Sequence, residues 1–366
     1  MTVYFKRAAI IGVGMVGGSL GKAMLKRQLV QEVVGFDRTQ DVLSKALAVG
    51  AVTETTTSLQ AALSQADLVV LAAPVLATLQ LLPKIAPYVK AGAVVTDVCS
   101  TKAAVTQQAA VSLPVAATFI GGHPMAGSEK QGVEAADENL FENAIYFLTG
   151  KASPALAIME RLICELGAVP LILEPQQHDQ RVAAISHLPH LVATALVQQV
   201  AGLEEAGELL VLAAGGFRDT TRVAMGSPQM WKDICLTNGE NIVPLLERFI
   251  SEMQEVRSLV AAGSADDLLS YFEEARSFRV QVPLRGKGLF PFVYNMFVYV
   301  PDRPGIIGEV AGLVGRSGIN IAEIELLRSR EEEGGPLRLG FMSKEGRQLA
   351  AGVLTSAGFR VQLQEG

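Results

Sequence analysis

Residues Gly121-Gly122-His123-Pro124-Met125-Ala126-Gly127-Ser128-Glu129 set one imidazole among small neighbours, with a carboxylate six residues on. Small side chains let other groups approach a ring closely, as a site built around an imidazole base requires. Taken alone, the stretch equally describes a histidine satisfied within a turn. Its company matters more. Cys99-Ser100-Thr101-Lys102 follows a buried apolar run and offers a hydroxyl at Ser100. Ser186-His187-Leu188-Pro189-His190 sets two histidines three apart in a helical pattern. On their own these are a metal pair or two core histidines. No third ligand lies nearby in sequence, so no metal is expected. Gly215-Gly216-Phe217-Arg218-Asp219-Thr220-Thr221-Arg222 reads as a Gly-rich turn. Arg222 is a natural fork for a carboxylate, giving two parallel charge-assisted bonds. The alternative is a surface ion pair with Asp219.

A second kind of chemistry stands near the N-terminus. Arg7–Ile11 is a short buried-strand run, followed by Gly12-Val13-Gly14-Met15-Val16-Gly17 and a helical pattern. A second strand, Glu32–Phe36, ends at Asp37, twenty residues beyond Gly17. Strand, glycine turn, helix, strand and acid together make the dinucleotide-binding fingerprint. Gly12 permits the tight turn, Gly14 lets a pyrophosphate approach the backbone, and Gly17 lets helix and strand pack. Met15 and Val16 open the helix, whose N-terminus presents N–H groups to phosphate. Asp37 would accept hydrogen bonds from ribose hydroxyls and repel a 2′-phosphate, which favours NAD over NADP. Arg38 beside it works the other way.

The elements that must position these groups follow a βα rhythm. Ala66–Ala73 ends at Pro74, Ala93–Val98 at Cys99-Ser100, and Ala117–Gly121 leads into His123. Such alternation predicts a parallel sheet whose ligands bind beyond the carboxyl ends of its strands. Pro74, Ser100 and His123 are therefore expected along one crevice with the glycine turn. Tyr146–Thr149 and Val169–Leu173 complete a Rossmann domain over 1–174. From Pro175 the pattern turns to long helices: Gln177–Gln199, kinked at Pro189, then Met230–Arg257 and Asp266–Arg279. The Leu, Ile and Val content of Met230–Arg257 exceeds what one helical layer needs, which suggests a homodimer. A linker at 283–293 separates this all-helical domain (175–282) from 294–366. There the order is βαββαβ, a ferredoxin-like module. Asp302-Arg303-Pro304-Gly305 and Gly318-Ile319-Asn320-Ile321 flank its first helix and suggest ligand sensing.

Composition excludes several classes. With 49% apolar and 19% charged residues, the 366-residue chain can build sizeable cores and is not disordered. A net charge of −6 without a Lys/Arg block argues against nucleic acid or an anionic membrane as partner. Cys99, Cys164 and Cys235 lie far apart, which suggests a reducing compartment. The apolar run after Lys6-Arg7 is broken by four glycines and lacks a clear cleavage site. A soluble, cytoplasmic protein without membrane spans is expected.

Across essentially its full length the chain resembles the prephenate dehydrogenase family with a C-terminal ACT domain. The glycine turn through Ser19, Gly122–Glu129, Ser186–His190, Gly216–Arg222 with Trp231 nine residues later, and Asp302–Gly305 carry the resemblance. It implies NAD-dependent oxidative decarboxylation of prephenate to 4-hydroxyphenylpyruvate, in tyrosine biosynthesis. It implies that His123 accepts the substrate's hydroxyl proton and that Ser100 bonds that hydroxyl or the imidazole. Arg222 would bind a substrate carboxylate. Ser186 and His190 would face the nicotinamide and the pyruvyl side chain. Ser128 and Glu129 would lie at the substrate, Glu129 with Asp219 orienting the cationic groups. Gly12, Gly14, Met15, Val16, Gly17, Asp37, Arg38, Pro74 and Ser100 would hold the cofactor. Tyrosine is the expected inhibitor, binding around Asp302, Gly305, Asn320 and Ile321 at an interface between two modules, or competing at the active site. Two alternatives stay open: arogenate as substrate, and a non-catalytic NAD and amino-acid sensor. The sensor would not need His123, Ser100 and Arg222 together.

Overall fold

The computed structural model describes residues 3–127, 130–281, 294–326 and 336–363. The linker 283–293 and two expected site residues, Ser128 and Glu129, lie outside these. The chain divides into two compact units, Met1–Gly288 and Leu289–Gly366.

The first unit begins β1 (Phe5–Ile11), α1 (Met15–Lys26), β2 (Val30–Phe36), α2 (Gln40–Ala48), β3 (Glu54–Thr56), α3 (Leu59–Leu63) and β4 (Leu68–Leu71). It continues α4 (Val75–Ile85), β5 (Val94–Asp97), α5 (Ala103–Ser112) and β6 (Thr118–Pro124). Then come β7 (Ile145–Thr149), α6 (Pro154–Glu165) and β8 (Val169–Ile172). The sheet runs β3-β2-β1-β4-β5-β6-β7-β8. Its centre is apolar on both faces because helices cover both. Along β1, Ala8 and Ile10 enter one buried cluster while Ala9 and Ile11 enter another. Those four residues are at most 1% exposed, which is why this strand carries no polar alternation.

Two features depart from the sequence reading. The sheet is not wholly parallel: β6 and β7 pair antiparallel. Among the described residues between them, the only helical segment is the turn Val133–Ala135, so no crossover helix returns the chain to a parallel start. And β6 runs three residues past Gly121, so His123 lies within a strand, opposite Phe147, rather than beyond a strand end. The partner strand β7 supplies the pairing that extends it.

The helical part comprises α7 (Pro175–Val182), a π-turn (Ala183–His187), α8 (Leu188–Ala201), α9 (Ala206–Leu212), α10 (Gly215–Thr221), α11 (Pro228–Thr237), α12 (Gly239–Ala262) and α13 (Ala265–Gln281). Instead of a kinked break at Pro189, the chain widens into the π-turn just before it. Pro189 then stands in the first turn of α8, where its missing N–H costs nothing. The expected helix Met230–Arg257 is two helices, broken at Asn238. The expected Gly-rich turn at 215–222 is mostly helix α10, with Thr221 bonding back to the Phe217 carbonyl.

The second unit is β9 (Tyr294–Tyr299), α14 (Ile306–Arg316), β10 (Glu323–Leu326), β11 (Pro336–Phe341), α15 (Lys344–Ser356) and β12 (Arg360–Leu363). Its antiparallel sheet runs β10-β11-β9-β12. Met296, Val298, Leu337 and Leu339 pack beneath Val310, Val314 and Leu354. No described helix is long and apolar enough to cross a membrane.

Candidate active site

The carboxyl edge of the sheet is built by close approach. Gly12 sits at φ +96°, and a Cβ there would stand 2.6 Å from the Ala72 carbonyl oxygen. Only glycine permits this turn between β1 and α1, packed as it is against the end of β4. No side chain caps α1 at Gly14, and nothing lies within 4 Å of where a Gly14 side chain would be. That leaves room for a phosphate at the helix N-terminus. Asp37 follows β2, half-buried, and accepts the Thr39 N–H at 3.1 Å. Pro74 and Arg38 are exposed on the same edge, after β4 and β2. This cradle has the form and donor set a dinucleotide requires. Ser100 stands in the β5–α5 loop, half-buried.

Beneath that loop lies an ion pair with no solvent access. Lys102 and Asp97, both 0% exposed, are bonded to one another. Lys102 Nζ also donates to the Gly122 carbonyl at 2.7 Å, and Gly122 N–H donates to Asp97 Oδ1 at 3.0 Å. A buried ion pair needs its remaining bonding capacity filled. The Cys99 N–H adds a further bond to Asp97, at 2.9 Å. The pair therefore clamps β6 to β5 at the residue preceding His123.

His123 Nδ1 lies 2.9 Å from His178 Nε2, and His178 Nδ1 lies 2.7 Å from Asp179 Oδ1. Asp179 also accepts the Lys102 N–H at 2.7 Å and the Ala103 N–H at 2.9 Å, at the start of α5. Phe147 walls the row edge-on to His178, with ring centroids 4.9 Å apart. Burial holds His123 well below the ordinary histidine value. The neighbouring charges of His178, Lys102 and His187 act in the same direction. Burial lowers His178 too, against the pull of Asp179.

The helical part supports this row. Asn238 Nδ2 donates to the Asp179 carbonyl at 2.9 Å and faces His187 Nδ1 at 3.1 Å. Burial pushes His187 down to about 4. His190 stacks on Trp231, centroids 3.5 Å apart and planes 9° from parallel. Burial is also what lowers His190. The two helical histidines are thus engaged with Asn238 and Trp231. Among the described residues no group of three or more His, Cys, Asp or Glu could hold a metal ion. Ser186 is half-buried in the π-turn, and Arg222 is exposed in the turn after α10.

The comparisons with known proteins agree with this architecture. Three family models match: the prephenate dehydrogenase nucleotide-binding domain over residues 20–172, its dimerization domain over 174–274, and the ACT domain over 294–350. A prephenate dehydrogenase of Bacillus subtilis is 38% identical over 346 residues, 93% of each chain. The chain belongs to the prephenate dehydrogenase family. The crystal structure of the family's A. aeolicus enzyme, in complex with hydroxyphenyl propionate and NAD+, is 32% identical with a TM-score of 0.71. The match covers 76% of this chain and 98% of that one. Arogenate dehydrogenase of Synechocystis is 32% identical with a TM-score of 0.65, over 76% of this chain and 100% of that one.

His178, Asp179, Asp97, Lys102 and Asn238 were not singled out as site residues by sequence reasoning. Signals existed for some. The chain has four histidines in all, and His178 is followed directly by an acid. Asn238-Gly239 is a turn dipeptide inside a helical pattern. In the second unit, Asp302 and Gly305 precede α14 while Asn320 and Ile321 follow it. The helix has 11 residues. At 1.5 Å per residue the two groups stand about 16 Å apart, so a single module does not bring them together.

Proposed function

We propose that the protein catalyses NAD-dependent oxidative decarboxylation of prephenate to 4-hydroxyphenylpyruvate. The observation that carries this reading is the buried row Asp179–His178–His123, which ends in an imidazole on β6, in the same sheet whose carboxyl edge forms the dinucleotide cradle. His123 is held neutral by burial and can accept the proton of the substrate's 4-hydroxyl. When bound, NAD accepts the hydride that leaves the same ring carbon. The ring carboxylate departs as CO2 and its bonding electrons complete the aromatic ring. Aromatisation supplies the driving force, so the protein's task is position, a base and anion binding. Ser100 bonds the hydroxyl or the imidazole, and Arg222 binds a carboxylate. Ser186 and His190 border the nicotinamide and the pyruvyl chain. The family resemblance assigns Ser128 and Glu129 to the substrate, and Asp37 follows β2 where the adenosine ribose would lie.

The family's dimerization-domain match supports a homodimer. So do the exposed apolar residues of the helical part, such as Val211, Val260, Phe272 and Phe278. Tyrosine regulation rests on the ACT module. Because Asp302 and Asn320 lie at opposite ends of α14, a tyrosine site using both needs a second module. The unpaired cysteines and the biosynthetic role favour the cytoplasm.

Arogenate is the second substrate reading, favoured by the similarity to the Synechocystis arogenate dehydrogenase. Reduced-nicotinamide absorbance with NAD and either prephenate or arogenate, with and without tyrosine, separates the readings. Prephenate turnover suppressed by tyrosine is expected. Turnover of arogenate alone would change the substrate, and NAD binding without turnover of either would leave the sensor.

A further inference from the structure

We propose that His178, held by Asp179, is a positioning residue for His123. It fixes His123 as the Nδ1–H tautomer, and it receives the Nδ1 proton when Nε2 gains one. The inference rests on the functional reading above for its kinetic part and on geometry alone for the tautomer.

The argument starts at Asp179. Each of its two oxygens accepts a backbone N–H at the N-terminus of α5. An ionised carboxylate can only accept, so His178 Nδ1 must donate to it. A neutral His178 then has a bare Nε2. That atom faces His123 Nδ1 at 2.9 Å, so His123 must donate. A neutral His123 is left with its lone pair on Nε2, the nitrogen of a general base. Each hydrogen bond in the row has one possible direction, set from Asp179 outward.

The proton movement balances. The substrate hydroxyl gives its proton to His123 Nε2. The Nδ1–H bond of His123 breaks as an N–H bond forms at His178 Nε2. Positive charge leaves the His123 ring and comes to rest on His178, against the Asp179 carboxylate. The other charged or titratable groups acting on the row are Lys102 and Asp97 from the β5 side and His187 from the π-turn. Lys102 and Asp97 neutralise each other. Burial keeps His187 neutral near pH 7. Asp179 is thus the remaining anion in contact with the row. The depressed affinities of His123 and His178 for protons agree with a neutral resting state.

The first test is nitrogen-15 NMR of the full-length protein labelled at histidine. Four residues give four ring signatures. His123 and His178 are expected as neutral Nδ1–H tautomers at pH 7.5. His187, whose Nδ1 faces the Asn238 amide donor, is expected as Nε2–H. An Nε2–H tautomer at His123 would overturn the proposal whatever the substrate proves to be. The second test compares His178→Gln, which keeps an acceptor but cannot take a proton, with His178→Leu, which offers neither. With prephenate and NAD, His178→Leu should lower kcat about 10²-fold with KM changed less than about threefold, and His178→Gln about 10-fold. In both, the acidic limb of the kcat profile should move to lower pH, because a proton on His123 no longer reaches Asp179. A wild-type kcat and limb in His178→Leu would refute the relay. If that variant fails to bind NAD, His178→Gln and the wild-type spectrum decide. Absence of wild-type prephenate turnover would sink the functional reading and leave the tautomer test intact.

Discussion

Substituting Gly122 by alanine should damage catalysis through a backbone collision, and the size of the effect can be worked out. The added Cβ would stand 2.5 Å from the Asp97 carbonyl oxygen, and 3.1 Å from both Thr96 Oγ1 and Tyr146 Cε1. Ordinary contact begins near 3.4 Å, so β6 must retreat by 3.4 − 2.5, about 0.9 Å. The obstructing atom is backbone, so no rotamer change relieves it. Gly122 is also the residue whose N–H bonds Asp97 at 3.0 Å and whose carbonyl accepts Lys102 at 2.7 Å. A shift of that size takes both beyond ordinary hydrogen-bond length. Overpacking costs about 1–3 kcal/mol, and a weakened buried hydrogen bond adds about 1 kcal/mol. For a unit of this size, with an unfolding entropy on the order of 0.6 kcal/mol/K, that lowers Tm by about 3–7 °C. His123 is the next residue, and a misplacement of about 1 Å can cost roughly 10²-fold in rate.

The control is Gly121→Ala. Its Cβ would strike the Thr149 hydroxyl, a side-chain atom that makes no hydrogen bond in the structure. Adding Thr149→Ala should therefore restore kcat to within about threefold of wild type, whereas trimming Thr96 should not rescue Gly122→Ala. Steady-state kinetics with prephenate and NAD, together with thermal melts, decide the matter. Wild-type kcat and Tm in Gly122→Ala would refute the reasoning. So would a Gly121→Ala/Thr149→Ala double variant as impaired as Gly122→Ala.

Three further expectations are simpler. His123→Asn should reduce kcat by ~10²-fold or more with little change in substrate affinity, and near-normal turnover would remove it as the base. Arg222→Gln should act mainly on KM for prephenate, so an unchanged KM would take Arg222 out of the substrate site. Acid stability follows from His187, whose folded value of about 4 lies below its ordinary 6.5. The unfolded chain binds the proton more readily, so stability is full above pH 6.5 and falls as pH drops toward 4, by up to about 3 kcal/mol. Urea midpoints at pH 7.5 and 4.5 should differ less in His187→Gln than in wild type. Equal acid losses would count against this.

Local chemistry in the chain order was enough to read much of the molecule. Glycines at 12, 14 and 17 between two strand-like runs, with an acid after the second, specify a dinucleotide turn because backbone conformation and close packing act over few residues. Apolar runs spaced by helical patterns likewise specify the α/β sheet, and the βαββαβ order of the last module follows from periodicity alone. Asn238 shows where that reading stops. Helical periodicity continues across it, yet the chain breaks there and its amide reaches Asp179, 59 residues away. The antiparallel β6–β7 pair was hidden for a similar reason, since strand direction depends on the path of residues 125–144 and not on the strands' own composition. The candidate base His123 was legible from its small neighbours, but its partners were not. His178 lies 55 residues from His123, and Lys102 lies 77 from Asp179. Which nitrogen of His123 carries a proton is settled only when the helix bearing Asp179 packs against the N-terminus of α5. Hydrogen bonds between segments far apart in the chain are properties of packing, and no local pattern records them.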